Sequence, residues 1–324
     1  MKILVLGAGS IGSVFGGFLA KSGHEVILFG RDHCITPINH VGLHIEGIWG
    51  KHHITNIRGY SNLNKIARCE GKAFDLTLLT VKSYDTRNVL EHYRHTFGKS
   101  ILTVSLQNGL GNLETIAELL GSDKAIGGRV IFGAELIQSA HVRVTVYADK
   151  VVLGSFKGGV PLDKVKEISG LFDSSGIPTT YTDEIESCIW GKVLYNATLN
   201  PLSCLLEVNY GKLLENIESK SIMEDIVREI FVLLHKTEST LSWTDAEEYS
   251  AHLFNNLIPP TREHISSMLQ DIRSGKKTEI DALNGIVVAR AEQLGFDLPI
   301  NRVLTALVKA KGIKQSEVRG QNSE

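Results

Sequence analysis

Two spacings of hydrophobic residues divide the chain, and each predicts a different kind of structure. In the first part, short apolar runs alternate with stretches whose apolar positions recur every three or four residues. KILVL at 2–6, EVILF at 25–29, DLTLLTV at 75–81, SILTVSL at 100–106 and AIGGRVIF at 125–132 read as buried strands. Residues 11–22, 84–97 and 112–120 carry helical periodicity. This strand–helix alternation predicts a parallel, doubly wound sheet. Two further segments predict antiparallel additions: Gly42 to Ile57, and HVRVTVYADKVVLGS at 141–155, where the alternation turns about Ala-Asp.

After PTTYT at 178–182 strand patterns give way to helical ones. Asp183 with Glu186 three residues on predicts the cap of a helix that runs through WGKVLYNATLNPLS. Ile222, Ile226, Val227, Ile230, Leu233 and Leu234 form one apolar stripe, and Ile280, Leu283, Val287, Ala291 and Leu294 form another, as helices packed in a bundle require. The tail after Lys311 is polar and is expected to fray. The expectation is an α/β dinucleotide-binding domain over 1–180 and an all-helical domain over 181–324.

Composition narrows the partners. With 324 residues and 43% hydrophobic content the chain can bury two cores. A net charge of −2 with dispersed basic residues offers no footprint for nucleic acid or an anionic membrane. No apolar run approaches membrane-spanning length, and the opening glycine-bearing segment continues into a second strand rather than a cleavage site. Cys34, Cys69, Cys188 and Cys204 lack zinc or redox spacing, so a reducing, cytoplasmic setting without disulfide or metal is expected. His40, His44, His52 and His53 have mixed spacing without cysteine or acidic companions and read as solvated loop positions. A small molecule is the expected partner, and the apolar surface of the helical half offers a face for a homodimer.

Gly7, Gly9 and Gly12 of GAGSIG follow a strand and open a helix, the context in which this spacing predicts a Rossmann-type dinucleotide site. Gly7 would permit the turn, Gly9 the approach of a pyrophosphate and Gly12 close packing of helix on strand. At the end of the second strand an NAD enzyme places an acid about twenty residues on. Here Arg31 stands at that point, and its donor fork suits the 2′-phosphate of NADP(H), although Asp32 follows it.

The second chemical feature lies on the predicted helix. Steps of four put Lys192, Asn196 and Asn200 on one face, with Pro201 next, while Val193, Leu194, Ala197 and Leu199 turn elsewhere. Asparagine amides there can hold a carboxylate-bearing carbonyl compound, and the lysine can protonate it. An ammonium with an ordinary pKa near 10.4 does so readily only when burial or a neighbouring cation lowers that value.

In order, these motifs resemble the ketopantoate reductase (2-dehydropantoate 2-reductase) family over roughly residues 1–311. The resemblance implies that Gly7, Ala8, Gly9, Ser10, Ile11 and Gly12 form the cofactor loop and that Arg31 is the 2′-phosphate ligand. It implies a cofactor-binding Lys82 in LLTVKSYD, a nicotinamide-side Asn108 in QNGLGN that also meets substrate, and backbone contact at Gly133-Ala134. Lys192 becomes the proton donor, and Asn196, Asn200 and Ser267 become substrate ligands. Glu279, in ISSMLQDIRSGKKTEIDALNG at 265–285, becomes an acid near the nicotinamide ribose and the lysine. The implied reaction is NADPH-dependent reduction of 2-dehydropantoate to pantoate, for pantothenate and coenzyme A synthesis.

One departure stands out. Where the family commonly has an Asn-Gly pair, this chain reads Asn209-Tyr210-Gly211, so either Asn209 serves after a one-residue shift or Tyr210 puts a phenol in the amide's place. Two alternatives stay open: a relative that reduces a different branched 2-oxo acid, and a non-catalytic sensor of NADP(H).

Overall fold

Leu4 and Leu6 of the first strand pack against one set of helices, and Ile3 and Val5 against another. A strand covered on both faces must be apolar throughout, which is why KILVL shows no polar alternation. The computed structural model describes residues 1–99, 101–237, 239 and 241–321, with the backbone alone for 314–321. Ser100, at the head of one expected strand, and residues 322–324 lie outside the described residues.

The chain forms two compact units, Met1–Gln107 with Gly111–Ile189, and Asn108–Leu110 with Trp190–Glu324. The first contains, in chain order, β1 (Lys2–Leu6), α1 (Ser10–Lys21), β2 (Glu25–Phe29), α2 (Asp32–Val41), β3 (Leu43–Gly47), β4 (His52–Ile54), β5 (Ile57–Tyr60), α3 (Leu63–Cys69) and β6 (Leu76–Leu79). It continues with α4 (Thr86–Phe97), β7 (Leu102–Ser105), α5 (Asn112–Leu120), β8 (Ala125–Arg129), β9 (Phe132–Gln138), β10 (His141–Tyr147), β11 (Val151–Ser155), α6 (Leu162–Ser174) and β12 (Thr179–Tyr181). Eight strands form one sheet in the order β12-β11-β8-β7-β6-β1-β2-β5. It is parallel except where β11 runs against β8. The doubly wound architecture is therefore present, with α3, α4 and α5 on one face and α1 and α6 on the other.

A second sheet, β4-β3-β10-β9, packs on α1, so that helix is buried between two sheets. Gly17 of α1 makes this possible, because a methyl group there would lie 2.5 Å from Ile45 of β3. Here the sequence expectation needs correction. Residues 141–155 do not form a hairpin: β10 pairs with β9 and β3, whereas β11 joins the large sheet beside β8 and β12. The expected 125–132 strand likewise ends at Arg129, and Phe132 opens β9. His44, His52 and His53 lie in β3 and β4 and His40 in α2, not in loops. The His44 and His53 rings stack with centroids 4.1 Å apart.

The chain enters the second unit within α7 (Ile185–Leu206) and continues through α8 (Tyr210–Glu215), α9 (Ile217–Lys236), α10 (Ala246–His252), α11 (Ser267–Arg273), α12 (Asn284–Gln293) and α13 (Pro299–Gln321). The predicted stripe on α9 is buried except for Ile222. Of the second stripe only Val287 and Ala291 lie within α12, Ile280 falling in a 3-10 turn and Leu283 and Leu294 at the helix ends, and all but Leu294 are buried. The α7 helix starts one residue later than the Asp183 cap predicts. Thr182 Oγ1 accepts the Glu184 N–H, and the Glu184 carbonyl accepts from Cys188. The α13 helix extends through the polar stretch after Lys311 as far as Gln321, and residues 322–324 of that tail lie outside the described residues. No helix among the described residues is long and apolar enough to cross a membrane.

Candidate active site

In the first unit the glycine loop is built by exclusion. Gly7 has φ +127°, and a Cβ on it would lie 2.7 Å from the Thr80 and Val81 backbone. A Cβ on Gly12 would sit 1.8 Å from the Gly7 carbonyl oxygen, a separation no side chain tolerates. Gly9 differs: a Cβ there would meet nothing within 4 Å. The protein itself leaves that space open, at the N-terminus of α1, where unpaired amides and the helix dipole favour a phosphate. A dinucleotide therefore fits this loop by shape and by electrostatics. Ala8 is buried, Gly9 is exposed, and Ser10 and Ile11 are half-buried.

Three strand ends converge on this loop. Gly7 N donates to Phe29 O at the end of β2 (2.9 Å), and Gly30 is so close to Ala8 that a Cβ would lie 2.6 Å from it. Arg31 follows directly, exposed, as the N-cap of α2, and Asp32 occupies the first turn of that helix. An acid in a first turn is favoured by the helix dipole, which gives Asp32 a structural reason of its own. After β6, Thr80 Oγ1 donates to Gly7 O (2.8 Å) and lies beside Gly12. Thr80 is a residue that sequence reasoning missed, because a threonine at a strand end carries no distinguishing signal.

Lys82, two residues on, is half-buried before a single 3-10 turn, Ser83–Asp85. Gln107 braces this stretch by donating to Val81 O and to Thr86 Oγ1, both at 2.7 Å. Ala134 lies in β9, where Gly133 and Ala134 face an irregularity in β10 between Val144 and Val146. A bulge of this kind re-aims the backbone beside it.

The remaining site candidates belong to the second unit. Asn108 opens Asn108–Leu110, and Leu110 N donates to Ala282 O (2.9 Å). Gly109 (φ +82°) is required there, since a Cβ would lie 2.3 Å from that carbonyl oxygen. The same turn begins at Glu279, whose carbonyl accepts from Ala282 N. The Glu279 residue is only 8% exposed, which is unusual for a carboxylate. The fold thus brings the Asn108 segment and the Glu279 turn together.

On α7, Lys192 and Asn196 are half-buried and Asn200 is buried. Asn209 and Tyr210 of Asn209-Tyr210-Gly211 both bond within the protein. Asn209 caps α8 by accepting from Lys212 N, and its amide donates to Glu263 (3.0 Å each). Tyr210 is buried, and its hydroxyl donates to Asn200 Oδ1 (2.7 Å). The phenol therefore braces Asn200 from behind. Burial pushes its own pKa well above 10, so it remains a donor. Ser267 is exposed in the first turn of α11, while its neighbour Ser266 is buried and caps that helix through Leu269 N. Ser266 also reaches Asn200 O and Ser203 Oγ in long contacts of 3.5 Å, which link α11 to α7. No group of three or more histidine, cysteine or acidic residues suited to a metal occurs among the described residues.

Known proteins match over both units. Residues 3–158 match the family described as ketopantoate reductase PanE/ApbA, and residues 184–312 match its C-terminal domain. A 2-dehydropantoate 2-reductase of Aquifex aeolicus is 38% identical over 311 residues, 96% of this chain and 97% of that protein. One from Pyrococcus abyssi is 36% identical over 96% of this chain and 98% of its own length. Among solved structures, a PanE/ApbA family ketopantoate reductase from Ralstonia eutropha JMP134 superposes with a TM-score of 0.85 at 29% identity, covering 98% of this chain and all of that one. D-mandelate dehydrogenase, solved with NADH and anilino(oxo)acetate, gives 0.86 at 26% identity with the same coverage. An open glycine cradle in a doubly wound sheet, a helical unit carrying the lysine and asparagine face, and matches spanning both make this chain an oxidoreductase that belongs to the ketopantoate reductase PanE/ApbA family.

Proposed function

We propose that the protein reduces 2-dehydropantoate to pantoate with NADPH, in the cytoplasm, as a step toward pantothenate and coenzyme A. The observation that carries this reading is the lysine and asparagine face of α7, whose innermost member, Asn200, is held in place by a buried phenol. The curated relatives at 38% and 36% identity bear the name of that activity. The glycine loop, Arg31, Lys82 and Ala134 would hold the cofactor, together with Asn108 and Glu279. When bound, the nicotinamide supplies a hydride to C2 of the substrate.

The chain's own groups do the rest. Asn196, Asn200, Ser267 and Asn108 hold the substrate carboxylate and hydroxyl, which fixes the keto oxygen relative to Lys192. Lys192 Nζ passes a proton to that oxygen as it becomes an alkoxide, and general acid help of this kind is worth typically a factor of about 10² to 10⁴. Glu279 orients the ammonium or the ribose. Replacing Lys192 by Ala is expected to lower kcat by two orders of magnitude or more, as roughly that factor implies, with NADPH affinity kept. Near wild-type turnover would remove Lys192 from the role of donor.

A second reading keeps the chemistry and changes the acid. The structural relative D-mandelate dehydrogenase was solved with an aryl-bearing oxo acid derivative, and Tyr210 departs from the usual family pattern. The deciding assay follows NADPH absorbance with ketopantoate and a panel of branched and aryl 2-oxo acids. Turnover on ketopantoate supports the first reading, turnover on another acid alone supports the second, and turnover on none would leave an NADP(H) sensor.

A further inference from the structure

Pro201 lies inside α7 and brings no N–H to the ladder, so the carbonyl four residues back, that of Ala197, lacks the i→i−4 donor its own helix would ordinarily supply. Asn284 supplies one. Its Nδ2 donates to Ala197 O at 2.9 Å, from 87 residues away in the sequence, and the residue is wholly buried. The same Nδ2 donates to Asn301 Oδ1 (2.9 Å), and Asn301 is wholly buried too. Asn301 Nδ2 in turn donates to Glu229 Oε2 (2.7 Å), and the backbone N–H groups of Ile300 and Asn301 donate to the same carboxylate.

The orientation of this relay follows from its ends. An ionised carboxylate can only accept, so Glu229 turns the Asn301 amide nitrogen toward itself and the Asn301 oxygen toward Asn284. Asn284 must then present its amide nitrogen both to Asn301 and to Ala197. Its own Oδ1 is left without a partner in the protein. An apolar side chain of similar shape would avoid that unpaired acceptor, so packing alone does not account for an asparagine here.

The turn so completed is the one between the two site asparagines: Ala197 follows Asn196, and Pro201 follows Asn200. We propose that Asn284 is a positioning residue, which closes the hydrogen bond opened by Pro201 and thereby fixes where Asn196 and Asn200 place their amides. Glu229 and Asn301 hold Asn284 in the donating orientation. The role in substrate positioning rests on the function proposed above.

Pro201 itself supplies the test, because Pro201→Ala restores an N–H to Ala197 O and makes the Asn284 donor redundant. Asn284→Ala is expected to lower kcat/KM for the 2-oxo acid about tenfold, mostly through KM, with the Kd for NADPH unchanged. In the Pro201→Ala background the same change should cost about twofold or less, and its loss of melting temperature should shrink in parallel. Where Asn284→Ala fails to fold alone, it should fold beside Pro201→Ala, and insolubility in both backgrounds overturns the proposal. So does an equal loss in both backgrounds, or an active wild type whose Asn284→Ala variant keeps kcat/KM within twofold. A wild type with no turnover on any 2-oxo acid instead overturns the functional reading and takes the positioning role with it, while the melting-temperature cycle still reports whether Asn284 bonds Ala197.

Discussion

Arg31 stands exposed as the N-cap of α2, one residue beyond the glycine that packs on Ala8, and its guanidinium is the group proposed to meet a 2′-phosphate. A hydrogen bond to a charged group contributes about 1.5–3 kcal/mol, roughly ten- to a hundredfold in affinity. Arg31→Ala should therefore raise the Kd for NADPH by about that factor, with little effect on NADH. Equal losses for both cofactors in a fluorescence titration would mean that the phosphate is read elsewhere. Tyr210 makes a different kind of contribution. Its hydroxyl holds a buried amide oxygen at 2.7 Å, so Tyr210→Phe strands that acceptor. The loss should cost roughly 1–3 kcal/mol of stability in denaturant unfolding and raise substrate KM as Asn200 loosens. An unchanged midpoint would show that another group replaces the phenol.

At the scale of elements, the stability of the packing around α8 is expected to depend on the protonation of His264. His264 lies between α8 and α11, its carbonyl accepts from Tyr210 N, and its ring is 5.3 Å from the Tyr210 ring. Burial pulls the imidazole below its ordinary value of 6.5, so the folded chain binds this proton less readily than the unfolded one. Stability then falls with decreasing pH from about 6.5 down to the folded pKa, and is independent of this group above that window. His44, on the small sheet, shifts the same way, through burial first and then through His53 and His141. Unfolding free energies measured from about pH 8 downward should decline below about 6.5, and His264→Gln should flatten part of that decline. A slope identical to wild type would mean that His264 is protonated equally in both states. The same scale explains the misread hairpin. Alternation about Ala148-Asp149 is a local signal, but each strand pairs where an open edge accepts it, and β3 and β8, outside that segment, supply those edges.

For the whole molecule, family membership gives the class of reaction, and the panel of 2-oxo acids decides the substrate within it. The sequence by itself determined what local chemistry can encode. Buried runs gave the strands, the three glycines gave the tight loop between β1 and α1, and a four-residue step gave the lysine and asparagine face, because each depends on spacing within a few residues. It also carried enough family pattern to name candidates as far apart as Arg31 and Glu279. Only the tertiary structure decided which partner completes a group that its own neighbours leave unsatisfied. Thr80 locks the Gly7 carbonyl from 73 residues away, Tyr210 braces Asn200, and Asn284 closes the turn opened by Pro201. The physical reason is the same in each case: a buried polar atom needs a partner, but nothing in the local chain specifies which distant residue the fold will bring to it.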